Sequence, residues 1–175
     1  MKNDLEWISE VNDMKQLLVL RHAKSSWKDS TLSDFNRPLN ERGKKDAPRM
    51  GKLLSNMDLV PDLIIASAAK RAKLTAEAVS LSSGYEGDIL ETQDLYMGMP
   101  EDYIAVLNQV PDIYTRVLVV GHNPGIEDFV EDLTDQWHRM PTAALAYIEL
   151  DIKNWQAFDE DSEGELLDIW LPKEI

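Results

Sequence analysis

Residues 17–24 read Leu17-Leu18-Val19-Leu20-Arg21-His22-Ala23-Lys24, a run of strand-forming apolar residues that stops abruptly at an arginine and a histidine. In an α/β sheet such a junction is the carboxyl end of a strand, where ligands usually bind. A second junction of this kind lies a hundred residues later, in Val117-Leu118-Val119-Val120-Gly121-His122-Asn123-Pro124-Gly125. Two strands that each end in a histidine can bring two imidazoles to one pocket.

The rest of the chain alternates between strand and helix patterns, which predicts a largely parallel sheet covered by helices on both faces. The predicted strands lie at about residues 16–20, 62–66, 88–91, 116–120, 144–150 and 166–171. The predicted helices begin after the N-cap Asn40, span about residues 69–81, open at Pro100 and span about residues 126–133. The expected fold class is therefore α/β, a three-layer αβα sandwich with a mostly parallel central sheet.

Length and composition fit one domain with a substantial core, since the 175 residues are 43% apolar. We expect that domain to cover residues 14–175. Residues 1–13 are expected to be an extension that forms a short helix through Leu5, Ile8 and Val11. Residues 25–39 read as a long loop, and long loops in compact domains are usually functional.

The charge is unevenly distributed along the chain. A formal net charge of −14 argues against binding to nucleic acid or to an anionic membrane. Residues 21–73, however, hold 12 of the 18 Lys and Arg residues and only 6 of the 32 Asp and Glu residues. One basic segment in an acidic protein indicates a focused anion site. The alternative is that lysines such as Lys44, Lys45 and Lys52 line solvated helix faces.

The expected location is the cytoplasm. The apolar runs are too short to span a membrane. The first thirteen residues carry acids where a secretory signal needs a basic and an apolar region. The absence of cysteine fits a reducing compartment and excludes thiolate metal sites.

Arg21 and Arg71 are the arginines best placed to bind an anion. A guanidinium is costly to bury unless an anion receives its donors. Arg71 lies in the first turns of a predicted helix that begins at the carboxyl end of the second strand, where helix N–H groups also favour an anion. The alternatives are a structural His22 beside Arg21, and an exposed position for Arg71 in its Lys-Arg-Ala-Lys run.

His122 stands at a strand end beside a helix start, as His22 does. The glycine before it permits close backbone approach, and Asn-Pro-Gly is strong turn chemistry. The serine nucleophile pattern G-x-S-x-G is absent. The alternative is a structural histidine in a turn. His138, the third histidine, is interpreted as a surface residue.

These motifs together resemble the histidine phosphatase superfamily, also called phosphoglycerate mutase-like, and most of all its SixA-type phosphohistidine phosphatase branch. The resemblance runs from about Met14 to the carboxyl terminus. It rests on the following segments: Arg21-His22-Ala23-Lys24-Ser25-Ser26-Trp27, Arg37-Pro38-Leu39-Asn40-Glu41-Arg42-Gly43, the Ser67 to Glu77 helix start with Arg71, Gly121-His122-Asn123-Pro124-Gly125 and Met140-Pro141-Thr142.

The resemblance implies a catalytic role for four residues. His22 is the implied nucleophile, neutral, with its other ring nitrogen donating to a backbone carbonyl. Arg21, Arg71 and a protonated His122 are implied to surround the phosphoryl oxygens and stabilise the transition state. Neither a metal nor another cofactor is expected.

The general acid is not apparent from the sequence, because Glu91, Asp94 and Glu101 all lie in the corresponding region without a motif to choose among them. This absence weakly favours phosphohistidine, since imidazole leaves well once its ring is protonated. Lys24, Lys28 and Arg37, on the loop beside His22, are either substrate contacts or exposed cations without a partner.

The expected function is a metal-independent phosphatase that acts on phosphohistidine in proteins, with a role in signal transduction. The chain has no long insertion that would form a lid, and an open site suits a phosphoprotein or varied small phosphates. The alternatives are a small-molecule phosphatase or mutase, and a binding module for phosphorylated ligands without turnover. Expected partners are a phosphorylated protein or a small phosphate, with neither nucleic acid nor membrane.

Overall fold

A six-stranded sheet lies at the centre of the computed structural model, which describes residues 14–175. Its strands are β1 (Lys15–Arg21), β2 (Leu63–Ser67), β3 (Ile89–Thr92), β4 (Arg116–Gly121), β5 (Leu145–Leu150) and β6 (Gly164–Trp170). The α-helices of the described residues are α1 (Glu41–Asn56), α2 (Lys70–Ser83), α3 (Pro100–Leu107) and α4 (Gly125–Thr134). Short 3₁₀ turns cover Asp34–Asn36 and Trp155–Ala157.

The strand order is β3-β2-β4-β1-β5-β6. The first four strands of this order run parallel, and β5 and β6 are antiparallel additions beside β1. In the register of β1 and β4, Arg21 lies opposite Gly121. His22 and His122 therefore leave the sheet side by side, as the two strand ends in the sequence predict.

Successive side chains of the central strands face opposite layers, as the two-residue period of a strand requires. On β1, Leu17 and Val19 pack into one core cluster with residues of α3 and α4. Leu18 and Leu20 pack into a second cluster with residues of α1 and α2. The predicted three-layer αβα arrangement is thus confirmed, and burial of the central strands β1, β2 and β4 on both faces explains why these strands read as continuous apolar runs.

The predicted elements all occur within a few residues of their expected bounds. Asn40 is the N-cap of α1, and its side-chain oxygen accepts a hydrogen bond from the Gly43 N–H. The predicted extension and its short helix lie outside the described residues. Within residues 14–175, every helix is too short or too polar to cross a lipid bilayer.

The long loop after β1 is more ordered than the sequence indicates. An antiparallel bridge between Ser25 and Leu39 closes its base. The Ser26 N–H donates to the Pro38 carbonyl at 2.8 Å, and the Asn40 N–H donates to the Lys24 carbonyl at 2.9 Å. These bonds join the start and the end of the loop, so its middle is held beside the end of β1.

Candidate active site

His22 and His122 meet at the carboxyl edge of the parallel strands. Their ring centroids are 5.0 Å apart, and both side chains are buried. The His22 N–H donates to the Gly121 carbonyl at 3.0 Å, which continues the pairing of β1 and β4 by one residue. The backbone of two adjacent strands thus sets the separation of the two rings.

His22 is held with Nε2 free of a proton. Its Nδ1 lies 2.7 Å from the Ala23 carbonyl, and because a carbonyl only accepts, Nδ1 carries the proton. Nε2 accepts a hydrogen bond from Arg71 Nε at 3.3 Å. Burial lowers the pKa of His22 to about 3, and the charges of Arg71 and Arg21 act in the same direction. The expected donation to a backbone carbonyl is therefore found, and Nε2 has the lone pair that a nucleophile needs.

Arg71 lies in the first turn of α2 and is almost fully buried. The carbonyl of Arg71 accepts from the Thr75 hydroxyl, and that hydroxyl accepts from the Ala23 N–H at 3.0 Å. This chain of bonds fixes the start of α2 against the residue that follows His22. Arg71 is thereby aimed at the His22 ring, as its place at a helix start after β2 predicts.

Arg21 enters the site from the last position of β1. Its Nη1 donates to the Met140 carbonyl at 2.8 Å, while its Nε is buried and has no hydrogen-bond partner among residues 14–175. Asn123 donates to the same carbonyl at 3.0 Å. An unpaired buried N–H is costly, and an incoming anion would satisfy it.

His122 is held by Ser67, the last residue of β2, whose Oγ lies 2.8 Å from His122 Nε2. His122 Nδ1 is buried and has no partner within the described part of the chain. Burial, followed by the charge of Arg71, lowers the pKa of His122 to about 4. The free site therefore favours a neutral His122 at neutral pH, and the protonated His122 that the resemblance implies stays a prediction for the phosphate-bound site. A bound phosphate dianion would raise this pKa, because it stabilises the protonated ring.

The long loop adds Asp34 and Phe35 to the site, and both contact Tyr96, which lies between β3 and α3. The Asp34 carboxylate accepts from Arg71 Nη2 at 3.0 Å and from the Tyr96 hydroxyl at 3.0 Å. Tyr96 packs edge-on against Phe35 and His122, with ring centroids 5.0 and 5.7 Å apart. Asp34 and Tyr96 were not identified from the sequence. The signal that could have identified Asp34 is its position three residues before Arg37, because a single turn of the chain brings side chains at this spacing into contact.

The three acids considered from the sequence have other contacts. Glu91 pairs with Lys73 at 2.7 Å, and Asp94 accepts from the Thr92 hydroxyl at 2.9 Å. Glu101 is an exposed residue in the first turn of α3. Asp34, and none of these three acids, is the carboxylate that contacts Arg71.

Arg37 is buried, and its guanidinium contacts the loop itself. It donates to the Ser26 carbonyl at 3.1 Å, to the Ser25 hydroxyl and to Asp34 Oδ1 at 2.7 Å, and it stacks over the exposed Trp27 ring at 3.2 Å. Arg37 is therefore not an exposed cation without a partner. Substrate contacts by Arg37 and by the half-buried Lys24 stay predictions.

The four central groups suit a phosphoryl group. The two imidazoles and the Arg71 guanidinium lie against one another at the end of β1, and the Nε of the adjacent Arg21 is buried without a partner among residues 14–175. An oxyanion is the acceptor that such donors suit. Within residues 14–175, no three His, Asp or Glu side chains are grouped so that they could hold a metal ion. The arrangement can attack phosphorus through His22 Nε2 and spread the developing charge over Arg21, Arg71 and His122.

Stability is expected to fall on acidification, because both histidines are neutral in the folded site. The unfolded chain protonates each imidazole near pH 6.5, whereas the folded site does so at about 3 for His22 and about 4 for His122. Between these values the unfolded state holds more protons, so the free energy of unfolding decreases as the pH falls. From pH 7.5 to 5 the loss is about 2 kcal/mol for each histidine.

Urea unfolding of the wild type and of His22→Asn at both pH values measures this loss. The variant is expected to lose about 2 kcal/mol less than the wild type, because asparagine does not titrate. Equal losses in the two proteins would contradict a neutral His22 in the folded site.

Comparison with known proteins shows the family of the chain. A family model for the histidine phosphatase superfamily (branch 1) matches residues 17–140. An uncharacterised chloroplastic protein of Arabidopsis thaliana is 28% identical over 152 residues, which cover 81% of this chain and 69% of that protein. An uncharacterised Mycobacterium tuberculosis protein is 36% identical over 106 residues, which cover 60% of this chain and 63% of that protein. The match thus spans less than two thirds of the mycobacterial protein.

A shorter similarity links the chain to a mutase. The 2,3-bisphosphoglycerate-dependent phosphoglycerate mutase of Streptomyces avermitilis is 42% identical over 66 residues, which cover 35% of this chain and 25% of the mutase.

Solved structures resemble about nine tenths of the chain. A SixA protein of Agrobacterium tumefaciens, assigned as a phosphohistidine phosphatase, is 28% identical and has a TM-score of 0.77 over 90% of this chain and 98% of that one. A SixA protein of Nakamurella multipartitia is 23% identical, with a TM-score of 0.80 over 91% of this chain and 96% of that one. The second similarity shows the shared fold.

Proposed function

The chain belongs to the histidine phosphatase superfamily, and on this premise we propose that it is a metal-independent phosphatase that removes phosphate from phosphohistidine in proteins. The observation that carries the proposal is the state of His22. Its Nδ1 proton is bound to the Ala23 carbonyl and its Nε2 lone pair lies beside Arg71. A cytoplasmic location and a role in signal transduction belong to the same proposal.

The first step transfers the phosphoryl group to the enzyme. His22 Nε2 forms a bond to phosphorus while the bond from phosphorus to the leaving group breaks, and the leaving atom keeps the electron pair. Arg21, Arg71 and His122 donate to the three phosphoryl oxygens as charge develops on them. In the second step water attacks phosphorus and the bond to His22 Nε2 breaks, which yields inorganic phosphate and restores the neutral ring.

The surroundings of the site favour a protein substrate. The loops after β1 and β3, at this edge of the sheet, carry large exposed apolar side chains, with 71% of Trp27 and 73% of Met97 exposed. Aromatic and methionine side chains are enriched at the centres of protein interfaces. An enclosed pocket for one small metabolite would instead bury such side chains around its ligand.

A phosphoglycerate-type mutase is the second candidate, because of the short stretch shared with the Streptomyces enzyme. A mutase must keep water away from its phosphoenzyme until the second transfer. We call Arg21, Arg71 and His122, the groups assigned to the phosphoryl oxygens, the phosphate clamp. The half-exposed Asp34 side chain lies beside Arg71 and gives solvent a route to this clamp, which favours hydrolysis.

Turnover of a substrate panel tests the proposed function. The panel contains a phosphohistidine protein, a phosphoserine peptide, a phosphosugar and p-nitrophenyl phosphate, each with and without EDTA. We expect phosphate release to be fastest from the phosphohistidine protein and unchanged by the chelator.

Several results would contradict the proposal. Faster release from the phosphosugar would favour the small-molecule phosphatase, and phosphoryl exchange between phosphosugars without release would favour the mutase. A loss of activity with EDTA would contradict the metal-independent mechanism. Binding without any turnover would show a module for phosphorylated ligands.

A further inference from the structure

Asp34 lies directly on the phosphate clamp. Its Oδ2 accepts from Arg71 Nη2 and from the Tyr96 hydroxyl, both at 3.0 Å, and its Oδ1 accepts from Arg37 Nη1 at 2.7 Å. The Asp34 backbone carbonyl accepts from Arg71 Nη1 at 2.6 Å. Both the backbone and the carboxylate of this residue are thus fixed against the arginine that touches His22.

Asp34 stands at the mouth of the site. Its side chain is 47% exposed, whereas that of Arg71 is 7% exposed and that of His22 is buried. In an in-line transfer the leaving group departs on the side of phosphorus opposite the nucleophile. With His22 at the floor of the site, a leaving group that departs toward solvent passes Asp34.

The carboxylate has one acceptor position to spare. A carboxylate offers about four lone-pair positions, and the side chains of Arg37, Arg71 and Tyr96 use three of them. The free position is on Oδ1, which holds a single bond from Arg37. A substrate N–H that approaches the mouth can bind there.

Asp34 has no proton to give at neutral pH. Partial burial acts to raise its pKa, but hydrogen bonds from Arg37 and Tyr96 and the charge of Arg71 outweigh this and lower it to about 2. An ionised carboxylate accepts hydrogen bonds and cannot protonate a departing alkoxide.

We propose that Asp34 determines the specificity of the site, by accepting the ring N–H of a departing imidazole and so selecting phosphohistidine over alkyl phosphate esters. This inference rests on the proposed function and names the residue that carries its substrate preference. Arg37 and Tyr96 hold the carboxylate in place, and Arg71 links it to the phosphoryl group.

The two classes of substrate differ in what the leaving group needs. In protonated phosphohistidine one ring nitrogen bears phosphorus and the other bears a proton. When the bond from phosphorus to nitrogen breaks, its electron pair stays on that nitrogen, and a neutral imidazole leaves with its N–H still bound to Asp34. When an alkyl ester is cleaved, an alkoxide leaves and requires a proton that Asp34 does not hold.

Steady-state kinetics of Asp34→Asn with two substrates test the inference. With a phosphohistidine peptide, kcat is expected to fall at least tenfold, because a charge-assisted acceptor for the leaving ring is lost. With p-nitrophenyl phosphate, whose phenolate leaves without a proton, KM is expected to fall because Arg71 no longer binds a competing carboxylate. Because kcat is expected to fall only for the phosphohistidine peptide, the ratio of the two kcat values shifts toward p-nitrophenyl phosphate.

Two further variants complete the design. Asp29→Asn removes the same charge from the same loop, at an exposed residue that contacts Thr31, and is expected to leave the ratio at its wild-type value. Asp34→Glu keeps a carboxylate and is expected to restore part of the phosphohistidine kcat. Urea unfolding of each variant shows whether the fold is retained.

Several outcomes would overturn the inference. If kcat falls equally for both substrates in Asp34→Asn, the residue only positions Arg71. If both activities rise together, it only competes with phosphate. Either result, with a wild type active on phosphohistidine, rejects this inference alone, whereas a wild type inactive on phosphohistidine rejects the proposed function and the inference with it.

Discussion

His22→Ala is expected to abolish phosphatase turnover, with kcat lower by at least about 10⁴-fold. The reason is that Nε2 of this ring is the atom to which phosphorus is bonded in the intermediate. The other imidazole lies at the end of the neighbouring strand, with its ring centroid 5.0 Å from that of His22 and its Nε2 held by Ser67 at 2.8 Å. Trapping with ³²P-labelled substrate is expected to show an acid-labile adduct on the wild type and none on the variant.

His138→Ala is the matched control for this substitution. His138 is half-buried, and its ring contacts Gln136 at 3.4 Å. Its loss is expected to change kcat less than twofold. An adduct that persisted in His22→Ala, or one on the wild type that survived acid, would reject His22 as the nucleophile.

Arg71→Ala is expected to lower kcat/KM by about 10²- to 10³-fold, as the loss of a buried transition-state donor does in other enzymes. Arg71 also donates to His22 Nε2 at 3.3 Å, so the variant loses both the clamp and a contact that orients the nucleophile. Arg71→Lys keeps the charge but not the planar fork of donors, and is expected to recover less than a tenth of the lost activity.

Lys73→Ala provides the control on the same helix. Its ammonium pairs with Glu91 at 2.7 Å, and both side chains are more than a third exposed. Its removal takes away one positive charge without touching the site, so kcat/KM is expected to stay within twofold of wild type. If Lys73→Ala lost as much activity as Arg71→Ala, general attraction of anions, and not a specific clamp, would explain the effect.

The fold was predictable because a strand that is buried on both faces has a continuous run of apolar residues in its sequence. The apolar run of residues 17–20 ends sharply at Arg21, and the run of residues 117–120 ends at Gly121. Glycine is required at that second end, because a Cβ on residue 121 would overlap the hydroxyl of the fully buried Tyr103. An apolar run that ends so abruptly shows closely where the strand ends.

The contacts of the long loop were not predictable in the same way. A loop has no hydrophobic period, so its sequence does not state which side chain turns inward. Asp34 and Tyr96 lie 62 positions apart and meet through one hydrogen bond at 3.0 Å. The acids at Glu91, Asp94 and Glu101 looked equally suitable, because the sequence carries no information on which loop crosses the site.

The protonation of the histidines also depended on the tertiary structure. The resemblance implied a charged His122, but burial and the nearby Arg71 lower its pKa to about 4 in the free site. These effects arise from residues on other strands and helices, and they decay over a few ångströms.

The sequence by itself determined the αβα fold, the family and the meeting of His22 with His122, because parallel strands that end in histidine must deliver them to one edge of the sheet. The tertiary structure alone decided which carboxylate faces Arg71, which nitrogen of His22 is free, and that His122 as well as His22 is neutral in the free site. Those properties depend on distances between residues far apart in the chain, and only packing of the folded chain sets such distances.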